Sequence, residues 1–364
     1  MAKLRVAQYG CGKTSALTMK YVFDCGGEIV AAFDIDSKKI GLDIGDMMQT
    51  EKKGIIIQDA KNARLMLQKV KPDACIVTTM SLLEDVKDEL IMLAELGIDT
   101  VTSCEEAFFP WNSSGAAAKK IDEIARKNNC TICGTGYQDM SWCSLAVVLA
   151  GSCKKVDSIK ITTSFNLDNY GVAPSIIHGA GMEIDNFPND ETSIDIADEE
   201  LLVNMNNLSD FMPSFAWNSN GWLCDKMGFT VKKQTQQCIP HTYDTTLSSK
   251  SLDMDILAGC VVGMTAIAVT ETEEGVTIIT ESIGKVYSSD ETDVNICKIS
   301  GEPNISCELE KPENVKMACT TIVGRIPDVI NAEPGFITSS RMPVLTYRSK
   351  SLDEYVNKKA SESK

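Results

Sequence analysis

Short apolar runs alternate with amphipathic segments along the first third of this 364-residue chain. The apolar runs have the length and β-branched content of buried strands, and the segments between them have helical spacing. We predict strands at 4–9, 28–33, 73–78, 99–102 and 131–134, a short apolar run at 55–57, and helices at 60–70, 81–96 and 113–127. Strands that alternate with helices form parallel sheets covered on both faces. Residues 1–150 are therefore predicted to form an α/β, Rossmann-type doubly wound parallel sheet.

The pattern changes after about Gly151, where apolar and polar residues begin to alternate with a period of two. This period is typical of half-exposed strands, and we predict them at 157–165, 265–270, 275–286, 295–300 and 304–309. Residues 151–324 are predicted to form a second, α+β domain with an open, mainly antiparallel sheet.

Three other segments complete the predicted organisation. Residues 325–335 read as a helix that ends at a Pro-Gly turn, so that about 325–350 would complete the first domain. The acidic stretch 185–210 is predicted to be a surface excursion or a helix pair, and the charged tail 351–364 to fray. Ser81 and Glu84 have the spacing of a capping box at the start of the helix 81–96.

A glycine-rich turn joins the first predicted strand to the helix after it. Such a turn lets the backbone approach a pyrophosphate, whose charge is met by the helix N-terminus. The predicted cofactor contacts here are Gly10, Cys11, Gly12, Lys13, Thr14 and Ser15, with Ser15 at the position of a third glycine. Asp34 ends the second strand about 20 residues further on, where an acid binds the adenosine ribose. We predict a dinucleotide-binding domain that favours NAD, while Lys38 and Lys39 near Asp34 leave NADP open.

In an open α/β sheet, ligands bind beyond the carboxyl ends of the strands. Thr78, Thr79 and Met80 follow one strand and are predicted to lie along the nicotinamide ribose. Glu105 and Glu106 follow the next, and burial beside Phe108, Phe109 and Trp111 would raise a carboxyl pKa towards the range of a general base. The alternative is that both glutamates only complement a helix dipole.

Polar residues after later strands are predicted to contact the substrate. Asp139 is a candidate for holding a substrate ammonium, although a helix N-cap explains it nearly as well. The predicted substrate contacts are Tyr137, Gln138, Asp139, Asn166, Asp168, Tyr170 and His178. His178 and His241 are the two histidines of the chain, and a lone histidine is more often structural than catalytic.

Composition narrows the classes of partner and location. The net charge of −16 argues against nucleic acid and anionic membrane surfaces, and suits a small cationic substrate, although acidic surfaces often serve solubility alone. The first residues already read as a core strand and no apolar run has the length of a membrane span, so we expect a cytoplasmic protein. The 14 cysteines are expected to be free thiols, and Cys130 and Cys133 to lie on opposite faces of a strand. No metal site is predicted.

The opening residues 1–13, the segment 26–34, the pair Glu105-Glu106 and the run 134–139 resemble the 2,4-diaminopentanoate dehydrogenase family and its native amine dehydrogenase relatives. The resemblance implies NAD(P)-dependent oxidative deamination at C4 of 2,4-diaminopentanoate to 2-amino-4-oxopentanoate and ammonia, within ornithine fermentation. It also implies a glutamate base at Glu105 or Glu106, a cationic diamino-acid substrate, and a homodimer formed through the sheet of the second domain.

Three alternatives stay open at this stage. One is a dehydrogenase of another amine, such as 2,5-diaminohexanoate. A second is a hydroxy-acid or sugar dehydrogenase, which would need a lysine or histidine acid-base that the three loops do not offer. The third is a non-catalytic protein that senses the cofactor, because a fold does not fix a function.

Overall fold

The computed structural model describes residues 3–187, 191–194 and 215–357. The chain divides into two compact units, one of Met1–Met140 with Asn314–Lys364 and the other of Ser141–Glu313. Both divisions fall earlier than the expected boundaries at 150 and 324. The second boundary lies before residue 324 because the helix that returns the chain to the first unit begins at Asn314.

The first unit is built on a parallel sheet. Its strands are β1 (Arg5–Tyr9), β2 (Glu28–Asp34), β3 (Ile57–Asp59), β4 (Ala74–Val77), β5 (Asp99–Thr102), β6 (Thr131–Gly134) and, numbered over the whole chain, β16 (Gly335–Phe336). Its helices are α1 (Lys13–Asp24), α2 (Ile44–Met48), α3 (Ala63–Val70), α4 (Leu83–Glu95), α5 (Gly115–Lys127) and α9 (Asn314–Asn331). The described strands pair in parallel in the order β16-β6-β5-β4-β1-β2-β3. The predicted Rossmann-type fold class is confirmed.

Each face of this sheet buries a separate apolar cluster. One cluster joins the sheet to α3, α4 and α5, and the other joins it to α1 and α9. The alternation of side chains in β-strands places neighbours along a strand in different clusters. Ile132 belongs to the first cluster with Cys130, and Cys133 belongs to the second. The prediction that Cys130 and Cys133 lie on opposite faces is confirmed.

The second unit contains a sheet with one parallel pair. Its strands are β7 (Lys155–Asn166), β8 (Glu191–Ile194), β9 (Val231–Thr242), β12 (Val261–Thr272), β13 (Thr277–Lys285), β14 (Val294–Glu302) and β15 (Ile305–Glu310), with β10 (Leu247–Ser249) and β11 (Met254–Ile256) as a separate hairpin. The described order is β15-β14-β7-β13-β12-β9-β8, and β7 pairs in parallel with β13 whereas the other pairs are antiparallel. The prediction of a mainly antiparallel sheet is confirmed.

The helices of the second unit are α6 (Leu145–Ala150), α7 (Val172–Ile177) and α8 (Phe215–Met227). Asn220 of α8 is fully buried and donates from Nδ2 to Ala268 O, Thr270 Oγ1 and Ile278 O, while Thr280 donates to its Oδ1. A buried amide whose donors and acceptor are all engaged fixes the helix against β12 and β13.

Three local predictions need correction. Residues 191–194 form the edge strand β8 where we expected a surface excursion or helices, and the rest of 188–210 lies outside the described residues. The tail does not fray at 351–357, because Leu352 is buried and its N–H donates to Cys25 O at 3.0 Å. The helix predicted from 81 begins at Leu83, without a side-chain cap from its own N-terminal residue.

Candidate active site

The turn between β1 and α1 has the backbone geometry that a dinucleotide needs. Gly10 has a φ of +85°, and a Cβ added there would lie 2.6 Å from Thr78 O. At Gly12, an added Cβ would meet no atom of the described residues within 4 Å. Gly12 caps α1 without a side-chain hydrogen bond, and the first turn carries no acidic residue. The helix N-terminus therefore faces open space with amide groups suited to an anion.

The other residues of this turn that are predicted to contact the cofactor differ in their burial. Ser15 is buried and its Oγ donates to Gly12 O at 2.7 Å, so it supports the turn from beneath. Lys13 is exposed and Thr14 is half-buried. The thiol of Cys11 is buried, and burial raises its pKa to about 12, so it is not a reactive thiolate.

Gln8, which the sequence analysis missed, ties the turn to the end of β4. Its side chain is fully buried, and Nε2 donates to Gly10 O at 2.9 Å and to Thr78 Oγ1 at 2.8 Å. Thr18 of α1 donates to its Oε1 at 3.1 Å. One side chain thus fixes the turn, the helix and the start of the segment that contains the predicted contacts Thr78, Thr79 and Met80. Thr79 and Met80 are exposed.

Asp34 closes the other side of the turn. Its Oδ2 accepts from Cys11 N at 2.7 Å and its Oδ1 from Asp36 N at 2.8 Å. The Lys39 ammonium lies 3.3 Å from Oδ2. Burial acts to raise the pKa of Asp34, but the two backbone hydrogen bonds and Lys39 outweigh it, so the pKa is lowered and the carboxyl is ionised. A carboxylate accepts about four hydrogen bonds, which leaves acceptor capacity for ribose hydroxyls.

The segment after β5 packs closely against the end of β6. A Cβ at Gly134 would approach Ala107 C and O to 2.2 Å, so only glycine permits this contact. Ser81 O accepts from Glu106 N at 3.1 Å, which joins the segment after β4 to that after β5. Phe108 and Phe109 are buried as expected, but Trp111 is partly exposed and packs edge-on against Phe336.

The two adjacent glutamates have different environments. Glu106 is buried and its Oε2 accepts from Leu83 N at 2.7 Å, so it caps α4 from a distant part of the chain. This hydrogen bond takes the place of the predicted capping box, and it matches the alternative in which a glutamate complements a helix dipole. Glu106 is therefore a structural group in this structure.

Glu105 has the properties of a functional carboxylate. Its Oε2 is buried without a hydrogen-bond partner among the described residues. Burial raises the pKa of Glu105, and a hydrogen bond from Ser81 opposes that shift only in part. A desolvated carboxyl with an uncommitted oxygen is the usual state of a general base before its substrate arrives.

The predicted contacts after β6 differ in accessibility. Tyr137 and Gln138 are half-buried. Asp139 is fully buried, and Arg325 donates to both of its oxygens, at 2.8 and 2.9 Å. Because its charge is already matched by a buried guanidinium, Asp139 does not serve a substrate ammonium here. Arg325 was not predicted, because nothing in its local sequence indicates a partner so far along the chain.

In the second unit, Asn166 and Asp168 organise the end of β7. Asn166 Oδ1 accepts from Asp168 N at 3.1 Å, and Asp168 Oδ1 accepts from Ser249 Oγ at 2.8 Å and Ser251 N at 3.0 Å. Asp168 thereby anchors the β10–β11 hairpin. Tyr170 is partly exposed and packs edge-on against Phe165.

His178 is buried and neutral. Its Nδ1 lies 2.7 Å from Pro174 O, and burial lowers its pKa. A neutral ring that donates from Nδ1 to a carbonyl has an unprotonated Nε2. His178 is therefore an acceptor at Nε2, and it stays a predicted substrate contact.

Asn166 also lines a polar cavity of about 310 Å³ in the second unit. The other lining residues are Asn169, Tyr287, Glu291, Thr292, Asp293, Lys311 and Pro312. Asn166 N donates to Asp293 Oδ1 at 3.0 Å, and burial raises the pKa of Asp293. Glu291, Thr292 and Asp293 were missed because their run, Ser288–Asp293, is typical of an ordinary polar loop.

Within the parts of the chain that the structure describes, no group of three or more His, Cys, Asp or Glu side chains could hold a metal ion. In the same residues, no helix is long and apolar enough to cross a bilayer. The cysteines are all free.

Solved structures of dehydrogenases resemble the whole chain. The amine dehydrogenase of Mycobacterium smegmatis is 30% identical and superposes with a TM-score of 0.84 over 96% of this chain and 98% of that one. A myo-inositol 2-dehydrogenase of Lactobacillus plantarum, 11% identical with a TM-score of 0.55 over 97% and 93% of the two chains, shares the fold alone. The fold, the site and these relatives define an oxidoreductase of the amine dehydrogenase class.

Residues 141–358 match the model of the 2,4-diaminopentanoate dehydrogenase C-terminal domain, which is more than half of the chain. The 2,4-diaminopentanoate dehydrogenase of Acetoanaerobium sticklandii is 26% identical over 286 residues, 75% of this chain and 74% of that protein. The chain belongs to the 2,4-diaminopentanoate dehydrogenase family.

Proposed function

We propose that the protein catalyses the NAD(P)-dependent oxidation of the C4 amine of 2,4-diaminopentanoate, giving 2-amino-4-oxopentanoate and ammonia. Family membership and the relative from Acetoanaerobium sticklandii support the substrate. The observation that carries the chemistry is Glu105, whose buried Oε2 has no partner among the described residues and whose pKa is raised.

The residues around the β1–α1 turn fit a dinucleotide. The N-terminus of α1 would receive the pyrophosphate, and Asp34 would accept the hydroxyls of the adenosine ribose. Gly12 leaves room for close approach of the backbone. The nicotinamide of the bound cofactor supplies the hydride acceptor.

Glu105 would first accept a proton from the substrate ammonium, because a raised pKa makes it a stronger base than an exposed carboxylate. Glu105 then releases this proton to solvent. Its carboxylate, ionised again, stabilises the positive charge of the substrate iminium that loss of hydride from C4 leaves. Glu105 next takes a proton from the water that attacks the iminium carbon. Protonation of the nitrogen and collapse of the carbinolamine release ammonia and the ketone.

Asn166, which lines the polar cavity of the second unit together with Asp293, stays a predicted substrate contact. Among the earlier candidates, Tyr137, Gln138 and Tyr170 keep accessible surface and stay predicted contacts. Homodimerisation, cytoplasmic location and a place in ornithine degradation also stay predictions.

The test measures reduced-nicotinamide absorbance with 2,4-diaminopentanoate, 2,5-diaminohexanoate and a panel of hydroxy acids, for the wild type, Glu105→Gln and Glu106→Gln. We expect turnover with the diaminopentanoate and a loss of about 10²- to 10⁴-fold in kcat for Glu105→Gln. Glu106→Gln is the matched control, with the same chemical change one residue away, and should keep most of the turnover. Cofactor binding, followed by fluorescence, should persist in both variants.

Two outcomes would overturn parts of this proposal. Cofactor binding without turnover of the diaminopentanoate would reject the substrate. Turnover lost in Glu106→Gln and kept in Glu105→Gln would reject Glu105 as the base.

A further inference from the structure

Two cysteines lie directly opposite each other at one edge of the sheet in the second unit. Cys297 of β14 pairs with Cys307 of β15 in an antiparallel ladder, and both thiols are free. Side chains that lie opposite in a ladder point to the same face of the sheet. In the described order of strands, β15 is an end strand, so this pair joins the edge of the sheet to the strand beside it.

The register gives the separation of the two backbones. Lys311 N donates to Asp293 O at 3.1 Å, one position beyond the paired residues of β14 and β15. Hydrogen-bonded and non-hydrogen-bonded pairs alternate along an antiparallel ladder, and residues 293 and 297 are an even number of positions apart. Cys297 and Cys307 therefore form a hydrogen-bonded pair, with Cα atoms about 5.5 Å apart. Disulfides span Cα separations of about 4.4–6.8 Å, so a bond can form without a change of register.

The two thiols differ in accessibility. Cys297 is fully buried, and burial raises its pKa to about 12, whereas Cys307 is half-buried. An oxidant therefore reaches Cys307 first, and Cys297 is held opposite it as the resolving thiol. Glu308 and Glu310 of β15 alternate to the other, exposed face, so neither carboxylate lies on the face of the two thiols.

The spacing also favours a bond that is readily reduced. Opposite Cβ atoms in a ladder are about 4.5–5.5 Å apart, whereas those of a disulfide are about 3.5–4.5 Å apart. The two strands must therefore approach each other slightly when the bond forms. Disulfides that require such a distortion are more easily reduced than relaxed structural ones.

We propose that Cys297 and Cys307 are a modification site, at which a small-molecule disulfide forms a reversible cross-strand bond that fixes the edge strand β15 to β14. The Cys307 thiolate attacks the reagent, forms a mixed disulfide and displaces one thiolate. Cys297 then attacks the Cys307 sulfur, gives its proton to solvent and releases the second thiolate. The protein loses two protons and two electrons, and the reagent gains them as two thiols.

The bond changes the behaviour of the sheet edge. A strand at an edge has a partner on one side, so it opens more easily than strands within the sheet. A covalent link between Cys297 and Cys307, near the middle of β15, opposes this opening. The inference does not depend on the proposed reaction, because it concerns the second unit alone.

The test treats the full chain with oxidised glutathione and then with dithiothreitol, for the wild type, Cys307→Ser and Cys153→Ser. Trypsin cleaves after Lys298, between the two cysteines, so mass spectrometry without reduction should detect two linked peptides, lighter by two hydrogen atoms than their sum. Hydrogen exchange of the amides of residues 305–310 should slow about 10-fold or more in the oxidised wild type and recover after reduction.

The two variants test whether the position opposite Cys297 is required. Cys307→Ser should form no link at Cys297 and should show no change in exchange on oxidation. Cys153 is also half-buried and its Sγ lies 3.5 Å from Pro303 O, at the turn between the two strands, but it has no place in this ladder. Cys153→Ser should therefore behave as the wild type does. Thermal melting of the reduced variants checks that each is folded.

Three outcomes would overturn the inference. They are a Cys307 that keeps glutathione as a mixed disulfide, a link from Cys307 to Cys153 in place of Cys297, and a Cys297–Cys307 link that leaves exchange at 305–310 unchanged. A failure of diamine turnover would reject the proposed reaction without altering any of these results.

Discussion

Arg325 and Asp139 form a bidentate ion pair in which both side chains have no exposed surface. Nε donates to Oδ2 at 2.8 Å and Nη2 to Oδ1 at 2.9 Å, and Thr135 Oγ1 adds a third hydrogen bond to Oδ2 at 2.7 Å. Arg325 also donates from Nη1 to Pro343 O at 2.6 Å. The pair therefore fixes the segment after β6, which contains Tyr137 and Gln138, to α9 and the chain beyond it.

Asp139→Asn should lower the free energy of unfolding by about 3–5 kcal/mol, because it removes the fully buried carboxylate of the pair and leaves the guanidinium with Asp328, 3.2 Å from Nη1, as its remaining countercharge. Urea denaturation of the full chain measures the change. The control is Arg64→Ala, which removes a half-exposed pair with Glu95 and should cost less than about 1 kcal/mol. Equal losses in the two variants would contradict the role given to the buried pair.

The pH dependence of turnover should report Glu105. Its raised pKa means that the base is protonated, and inactive, at pH values where an exposed glutamate is already ionised. We expect kcat/KM to fall as pH drops through this raised pKa. The residual activity of Glu105→Gln, measured over the same pH range, should lack that inflection. An inflection of unchanged position in this variant would assign it to another group.

Glu105→Gln and Glu106→Gln should shift stability in opposite directions at alkaline pH. The folded state binds the Glu105 proton more tightly than the unfolded state, so the carboxyl destabilises the fold once pH exceeds the raised pKa. Gln removes that effect and should raise the urea midpoint. Glu106→Gln removes a charged cap of α4 and should cost about 1 kcal/mol. Shifts of the urea midpoint that have the same sign and size in the two variants would contradict the assignment of Glu105 as the base and Glu106 as the cap of α4.

Alanine substitutions at the two glycines of the turn should have different effects, one mainly on stability and the other mainly on cofactor binding. Gly10→Ala should destabilise by at least about 1–3 kcal/mol, because its φ of +85° and the approach to Thr78 O both oppose a side chain. Gly12→Ala meets no described atom within 4 Å and should fold with a change below about 1 kcal/mol. Its methyl group projects into the space proposed for the pyrophosphate, so NADH affinity should fall. Unchanged NADH affinity in Gly12→Ala would contradict the placement of the pyrophosphate at Gly12.

Local periodicity was sufficient to predict most strands of the first unit. The bounds of β5 and β6, Asp99–Thr102 and Thr131–Gly134, match those predicted, because short runs with β-branched residues between two helices are typical of strands in a parallel sheet. Strand β9 was missed because its buried face carries Gln234 and Gln236, which reverses the usual relation between polarity and exposure.

The sequence predicted those parts of the site that depend on residues close together along the chain. The turn at Gly10 and the acid at Asp34 follow from spacing along one strand-turn-helix unit. The choice between Glu105 and Glu106 depends on which carboxylate meets Leu83 N, a contact made through the fold. The partner of Asp139 is likewise set by tertiary structure, because Arg325 lies in a helix that follows the entire second unit.

The docking of Leu352 beneath the end of α1 has a consequence for synthesis on the ribosome. The second unit is one continuous stretch of chain, whereas the sheet of the first unit needs α9, β16 and the segment at Leu352 to bury its second face. Residues 3–140 are translated before the second unit, and they lack these partners until residues 314–352 have followed it. The first unit is therefore expected to complete its folding only after the second unit, which is inserted in its sequence, has been synthesised.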